Sequence, residues 1–553
     1  MKKYSLLFVV MLLVISTVLM ACQSKEGSGG AEKSNDSNVA AGDKDPLGKY
    51  ENTVTVREVA GYGNPEDPKT KKGVTPQTNA YVSKLKEMLN IELKYDWEVP
   101  NEQFEQKFSL AIASGDFPDI MQIDINQFEK FKQQGILADL TDAYNDYASD
   151  ELKSYMDFDG GKTLDLFTVD GKILGIPSYE DPYMSAQFLW IRKDWLDKLN
   201  LDIPKSLEEL EQVAQAFVDK DPNGNGKVDT YGIALHKDLI SWGYDARGLF
   251  YTMGAYPKSW VKDESGKLIP GEIQPQTKEA LELMSNWYKS GIIDKEFAFK
   301  DIDKVVEDFA AGKVGISFGV WWYPSVVFNL SKEQDPNADW IPIELPTYKG
   351  EESKTLVPAS RLNNVVVVNK DFEHPEAAIK MINFYQELEK PEYDDEVKPE
   401  NGYVYNWFQP RIYKPDDFQT AFKEVNDALD QKAEKVDSTN STTLTVFDAA
   451  KKYLDGDESM WGVYYSRAAK DGGWATVEKI REKGNVVYDE FTGGTTPTMV
   501  SKGSSLGKMT DETFTKMIMG SESIDNFDKY VKDWKKLGGD QITEEVNEWY
   551  KEK

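Results

Sequence analysis

Between Val54 and Asp124 the sequence alternates between short apolar runs that suit strands and longer amphipathic stretches that suit helices. Val54, Val56 and Val59 mark a first strand, and Tyr81, Val82, Leu85, Met88 and Leu89 share one face of a helix. Ile91, Leu93, Tyr95 and Trp97 alternate as a second strand. Phe104, Phe108, Ala111 and Ile112 line a second helix, which Ser114-Gly115-Asp116 stops before a buried strand from Ile120 to Asp124. A β-α-β-α-β order predicts a mainly parallel sheet covered by helices, with ligands at the carboxyl ends of its strands.

A chain of 553 residues is too long for one such core. The alternation resumes with a helix over 206–218, where Ser206 and Glu209 have capping-box spacing, and another over 277–289, closed by Gly291. Strands follow around Val314–Val320 and Val365–Val368, so a second α/β unit is expected. The last 150 residues or so read as mainly helical, ending with Phe527, Tyr530, Val531 and Trp534 on one face before Gly538-Gly539.

The residue inventory narrows the chemistry. One cysteine rules out an intramolecular disulfide and any cysteine-rich metal site. Two histidines, His236 and His374, far apart in sequence, leave little for a histidine zinc site or a Ser-His-Asp triad. A net charge of −30 repels nucleic acid and anionic headgroups, and argues against a highly anionic ligand unless a local basic cleft overrides the average.

The single cysteine has a telling position. Lys2 and Lys3, an apolar stretch from Leu6 to Val18 and small residues before Cys22 make an export signal over residues 1–21. Leu19-Met20-Ala21-Cys22 has the form of a bacterial lipobox, which predicts a lipidated Cys22 at the mature N-terminus. Residues 22–49 then form a Gly-, Ser- and charge-rich tether, long enough to span about 25–30 Å.

Asp221-Pro-Asn223-Gly-Asn225-Gly226-Lys227-Val-Asp229 opens like an EF-hand loop. Side-chain oxygens of Asp221, Asn223 and Asn225, the Lys227 carbonyl and Asp229 are the expected ligands of a structural Ca2+, with Thr230 as a weak further ligand. Position 12 is Gly232 rather than Glu, so loose binding is expected.

Seven segments carry a resemblance: LAIASGDFPDI at Leu110–Ile120, QGILADLT at Gln134–Thr141, GKILGIP followed by FLWIRKDWLDKLNL, IPKSLEEL at Ile203–Leu210, ISFGVWWYP at Ile316–Pro324, IELPTYKG, and NNVVVVNKDFEHPEAAIKMINF. In this order they resemble the family 1 extracellular solute-binding proteins, which include maltose- and alginate-oligosaccharide-binding proteins. The C-terminal FTGGTTPTM and SIDNFDKYVKDWKKLGGDQITEEVNEWY look like the longer lipoprotein branch of that family. The resemblance implies a two-lobed α/β periplasmic-binding-protein-like fold of type II, with hinge crossings near 176–184 and 357–365 and a helical C-terminal extension. Lobe 1 would hold 50–178 with a return over roughly 357–400, lobe 2 would hold 179–356, and 401–553 would brace both. It also implies a non-catalytic monomer that captures an oligosaccharide and passes it to the permease of an ABC importer, lipid-anchored on the outer face of a bacterial cell membrane. Alginate-binding relatives carry a Glu after the last Asp of the calcium loop, where this chain has Thr230.

Candidate ligand contacts come from strand ends and crossings. Trp321 and Trp322 follow a predicted strand, where alternation would put one in the cleft and one in the core; either one matches the sugar-stacking tryptophan of maltose-binding relatives. Gln122 and Asp124 follow the SGDFPD turn, Asp181 and Tyr183 sit at the first crossing, Arg361 and Asn363 at the second, and Trp260 and Trp461 are further stacking candidates. A secreted glycoside hydrolase is the competing reading, since an aromatic cleft with carboxylates suits it equally, though no carboxylate pair stands out. A glycan-sensing or adhesion lipoprotein is the third.

Overall fold

A computed structural model describes residues 44–62, 75–241, 243–390, 393, 410–438 and 440–552. The expected export signal, Cys22 and most of the expected tether lie outside the described residues. The described end of the tether is held down: Lys380 and Asn383 donate to the carbonyls of Gly48 and Pro46 at 2.6 and 3.1 Å.

The first half follows the predicted alternation. Strand β1 (Val54–Tyr62) pairs in parallel with β2 (Ile91–Pro100). Helix α1 (Ala80–Leu89) between them starts where the Asn79 side chain accepts from Val82 N and ends at Asn90 in the left-handed region. Helix α2 (Asn101–Ser114) ends at Gly115, whose φ of 81° is costly for any residue with a Cβ. Strand β3 (Ile120–Ile123) leads into α3 (Ile125–Gln134), which opens on a capping box made by Asp124 and Gln127.

The second sheet of this half is antiparallel, against the expectation of a mainly parallel one. Strand β4 (Ile176–Glu180) leaves the first core, and the chain returns much later along β10 (Arg361–Val368), which lies between β3 and β4 and runs against both. A strand that leaves and one that comes back from the same neighbouring body must point in opposite directions. The first core packs on these sheets through Tyr81, Leu85, Ile176, Val366 and α6 (Glu376–Leu388).

Between those crossings lie β5 (Phe188–Arg192), β6 (Tyr231–Ile233), β7 (Val314–Gly319) and β8 (Trp340–Ile343), which form a four-stranded sheet in the order β8-β5-β7-β6. Helix α4 (Leu207–Asp219) has the capping box expected of Ser206 and Glu209, and α5 (Pro275–Ser290) ends at Gly291. Just before the chain crosses back, β9 (Thr355–Pro358) pairs in parallel with β11 (Val486–Asp489) from near the C-terminus.

The helical C-terminal part is spread over the second body. Helices α7 (Asp417–Asp430), α8 (Ser441–Leu454), α9 (Trp461–Arg467) and α10 (Gly473–Lys483) share a core with Trp190, Trp321 and Trp340. Helices α11 (Pro497–Met519), α12 (Phe527–Trp534) and α13 (Asp540–Lys551) bury Phe514, Trp534 and Val546 against Leu281 and Trp287 of α5 and their neighbours. No helix among the described residues is long and apolar enough to cross a membrane.

Candidate functional site

The two crossing strands bring Glu180 and Arg361 opposite each other. Arg361 ion-pairs with Glu180 at 3.1 Å, and the Asn363 side chain donates to the same carboxylate at 2.8 Å. A third segment, 410–416, runs beside them: Tyr413 N donates to Ser178 Oγ, and Asp181 N donates to the Pro415 carbonyl, both at 3.1 Å. Gln122, at the end of β3, clamps this segment by donating to the Arg411 carbonyl at 2.7 Å and to Asn364 at 2.8 Å.

Beside this seam opens a cleft of ≈ 440 Å³. One wall comes from the first body and the crossings, with Glu180, Glu389, Arg411, Tyr413 and Lys414; the other comes from the second body, with Phe418 of α7, Ser441, Thr442 and Thr445 of α8 and Arg467 of α9. Rings, hydroxyls and cations drawn from two bodies make a site able to hold the C–H faces and hydroxyls of a sugar together. The acids of the cleft already have partners. Asp417 accepts from Asn440 and Thr442, both at 2.6 Å, and Glu389 accepts from the Tyr385 hydroxyl at 2.5 Å. Burial raises both carboxyls above their ordinary range, against the pull of these donors.

The predicted residues scatter around this seam. Trp321 is 8% exposed and packs on Phe418 and Trp474, under the guanidinium of Arg467, so it backs the cleft wall. Trp322 is half-buried against Tyr244 and Tyr323. Strict alternation does not govern the pair, because β7 ends at Gly319 and both rings sit in the turn after it. Gln122, Arg361 and Asn363 support the seam.

Asp181 and Tyr183 belong elsewhere. Asp181 is 1% exposed and ion-paired to Arg481 of α10, so it is sealed from ligand. Burial opposes the charge on Arg481, yet Asp181 and Glu478 hold its pKa above the ordinary value. The Tyr183 hydroxyl lies 3.3 Å from that of Tyr488 in a second cavity of ≈ 840 Å³, bordered by Thr163, Lys262 and Tyr550. Asp124 is used as the cap of α3. The backbone N of Trp260 donates to Asp489, and its ring meets Phe491. Trp461 is buried and stacked on Tyr465, because its face of α9 packs into the second core.

The sequence reading passed over Arg411, Tyr413, Lys414, Phe418 and Arg467. Pro410 and Pro415 bracket the first three as an extended segment, which is a faint signal; Arg467, the last residue of an ordinary helix, carries none.

The loop from Asp221 to Asp229 is turned as its sequence demands, with Gly224 and Gly226 at φ 72° and 79°. The Asp221 carboxylate accepts from Asn225 N and Gly226 N, Asn225 Oδ1 accepts from Lys227 N, and the Asn225 amide donates to Asp229 at 2.9 Å. Asn225 and Asn223 lower the pKa of Asp229 against a small burial effect. Thr230 departs from expectation: it is 6% exposed, and its hydroxyl donates to the Phe217 carbonyl at 2.6 Å, tying the loop to the end of α4.

Residues 71–390 match the family profile described as bacterial extracellular solute-binding protein. The chain is 27% identical to the polygalacturonan/rhamnogalacturonan-binding protein YtcQ of Bacillus subtilis, covering 100% of this chain and 99% of that one. It is 26% identical to lipoprotein LipO of the same organism, over 94% and 95% of the two chains. The crystal structure of the alginate-binding protein AlgQ2 without calcium ion superposes with a TM-score of 0.57 at 19% identity, covering 91% of this chain and 99% of that one. The shared fold is the two-lobed type II binding-protein fold.

Proposed function

The chain belongs to the family of bacterial extracellular solute-binding proteins, and from that premise we propose that it is the oligosaccharide-capturing subunit of an ABC importer. The observation that carries this reading is the cleft along the crossing strands, with Arg411 and Tyr413 on one side and Phe418, Ser441, Thr442 and Arg467 on the other. Full-length likeness to a polygalacturonan/rhamnogalacturonan-binding protein supports a glycan as the ligand. The lobes take the bounds read from the sequence, 50–178 with its return and 179–356. Glycan bound between them favours their closed arrangement, because only there do both walls touch it. The closed form is the one the permease accepts, and the glycan leaves unchanged.

Cys22 carries the lipid anchor and residues 22–49 are the tether, holding a monomer at the outer face of the cell membrane. The likeness to lipoprotein LipO supports this. A Ca2+ ion fits the loop after α4, with oxygens of Asp221, Asn223, Asn225 and Asp229 and the Lys227 carbonyl as its ligands, and it would pin the loop rather than touch sugar. Among the described residues no group of three His, Cys, Asp or Glu could hold a metal, and the loop itself brings only two acids, Asp221 and Asp229, so its remaining ligands are amide and carbonyl oxygens.

Thermal unfolding of the full-length protein against a panel of neutral and acidic oligosaccharides tests the proposal. A ligand at 100 times its dissociation constant adds about 2.7 kcal/mol, and the glycan should be recovered intact. A panel that leaves the melting temperature unmoved, or a glycan that is cleaved, would refute it.

A further inference from the structure

The chain has seven arginines, and five of them, Arg57, Arg192, Arg247, Arg361 and Arg481, are ion-paired to carboxylates. Arg467 is different. It is partly buried in the wall of the ≈ 440 Å³ cleft, its guanidinium lies 5.4 Å from the centre of the Trp321 ring, and no carboxylate or hydrogen-bond partner for it exists among the described residues. Burial lowers its pKa.

In a protein with 95 acidic residues against 65 basic ones, a half-buried cation without a carboxylate is an unusual expense. The acids closest at hand cannot relieve it. Glu180 serves Arg361 and Asn363, Asp417 serves Asn440 and Thr442, and Glu389 serves Tyr385. The position of Arg467 at the C-terminal end of α9 favours a positive charge through the helix dipole, but that effect reaches an exposed lysine as well and does not require a guanidinium held over a buried indole at 5.4 Å.

We propose that Arg467 is the carboxylate receptor of the cleft, so that the glycan this protein selects carries uronic acid units. The inference rests on the receptor reading above and deepens it. The guanidinium lies over the Trp321 ring at 5.4 Å from its centre, and its N–H groups, which no side chain among the described residues takes up, can make paired hydrogen bonds with a carboxylate, the geometry at which arginine is better than lysine. Arg411 and Lys414 on the facing wall add positive potential, and the hydroxyls of Ser441 and Thr445 are placed for the sugar ring's own hydroxyls. Anionic selectivity therefore comes from one oriented charge inside a protein whose overall field is repulsive. A hydrogen bond to a charged group contributes tenfold or more in affinity.

Calorimetric titration of the full-length protein with trigalacturonate, trimannuronate, the trimethyl ester of trigalacturonate and maltotriose tests this. The expected result is that an acid binds at least about tenfold tighter than the ester, and that Arg467→Gln removes this preference by weakening the acid at least about fivefold more than the ester. Arg467→Lys, which keeps the charge and loses the paired geometry, should fall between them, and serves if Arg467→Gln does not fold. Equal binding of acid and ester, or a loss with Arg467→Gln that is the same for both, overturns the assignment. Binding of maltotriose with neither acid bound overturns it and leaves the receptor reading standing; a protein that binds no glycan of any kind removes both.

Discussion

Asp181 offers a sharp test of how the crossing between the bodies is held. It is 1% exposed, accepts from Tyr183 N at 2.9 Å, and ion-pairs with Arg481, a fifth of whose side chain stays in contact with water. Asp181→Ala strands the Arg481 guanidinium. Removing one member of a buried pair costs about 3–5 kcal/mol; Arg481 is partly in water, keeps Glu478 at 3.3 Å and lies over the Tyr183 ring at 4.3 Å, so a value below that range, about 2–3 kcal/mol, is expected for the charge. The lost bond to Tyr183 N adds about 0.5–1.5 kcal/mol. Arg481→Met should cost more, because the acid left behind is sealed from water. In denaturant unfolding followed by tryptophan fluorescence, the double variant should therefore be more stable than the sum of the singles predicts, by at least about 1.5 kcal/mol. Additivity within about 0.5 kcal/mol would show that the pair is no unit and that the crossing is held by packing alone.

Two further outcomes follow from other parts of the molecule. Added Ca2+ should raise the melting temperature, and Asp221→Ala should abolish that rise while lowering the calcium-free value by only a few degrees; a melting temperature indifferent to Ca2+ would leave the loop as a turn held by its own hydrogen bonds. Burial pushes the pKa of Asp489 up to about 6, against donation from Trp260 N, while an unfolded Asp titrates near 3.9. The folded state then holds the extra proton between these values, so this residue's contribution to stability is greatest near pH 4 and is lost as pH rises through 6, by up to about 3 kcal/mol. Asp489→Asn should flatten that decline, and identical pH profiles of melting for the two proteins from pH 4 to 7 would rule the assignment out.

Local elements were legible in the sequence because their signals are local. The capping box at Ser206 and Glu209 and the glycine stops at 115 and 291 recur in the structure at the same residues, since a cap needs only the few residues beside it. The antiparallel sheet of β3, β10 and β4 was not legible. Its strands are joined by a detour of about 180 residues through another body, and no periodicity records the direction of return.

The position of Cys22, the turn from Asp221 to Asp229 and the order of the family segments were determined by the sequence alone, because each depends on spacing along the chain. Only the tertiary structure decided that Asp181 faces Arg481 across 300 positions rather than ligand, that Trp321 backs a wall, and that Arg467 stands in that wall with no acid paired to it among the described residues. The reason is physical: whether a charge or a ring is free for a ligand depends on which distant side chains have already taken it, and that is settled only when the bodies pack.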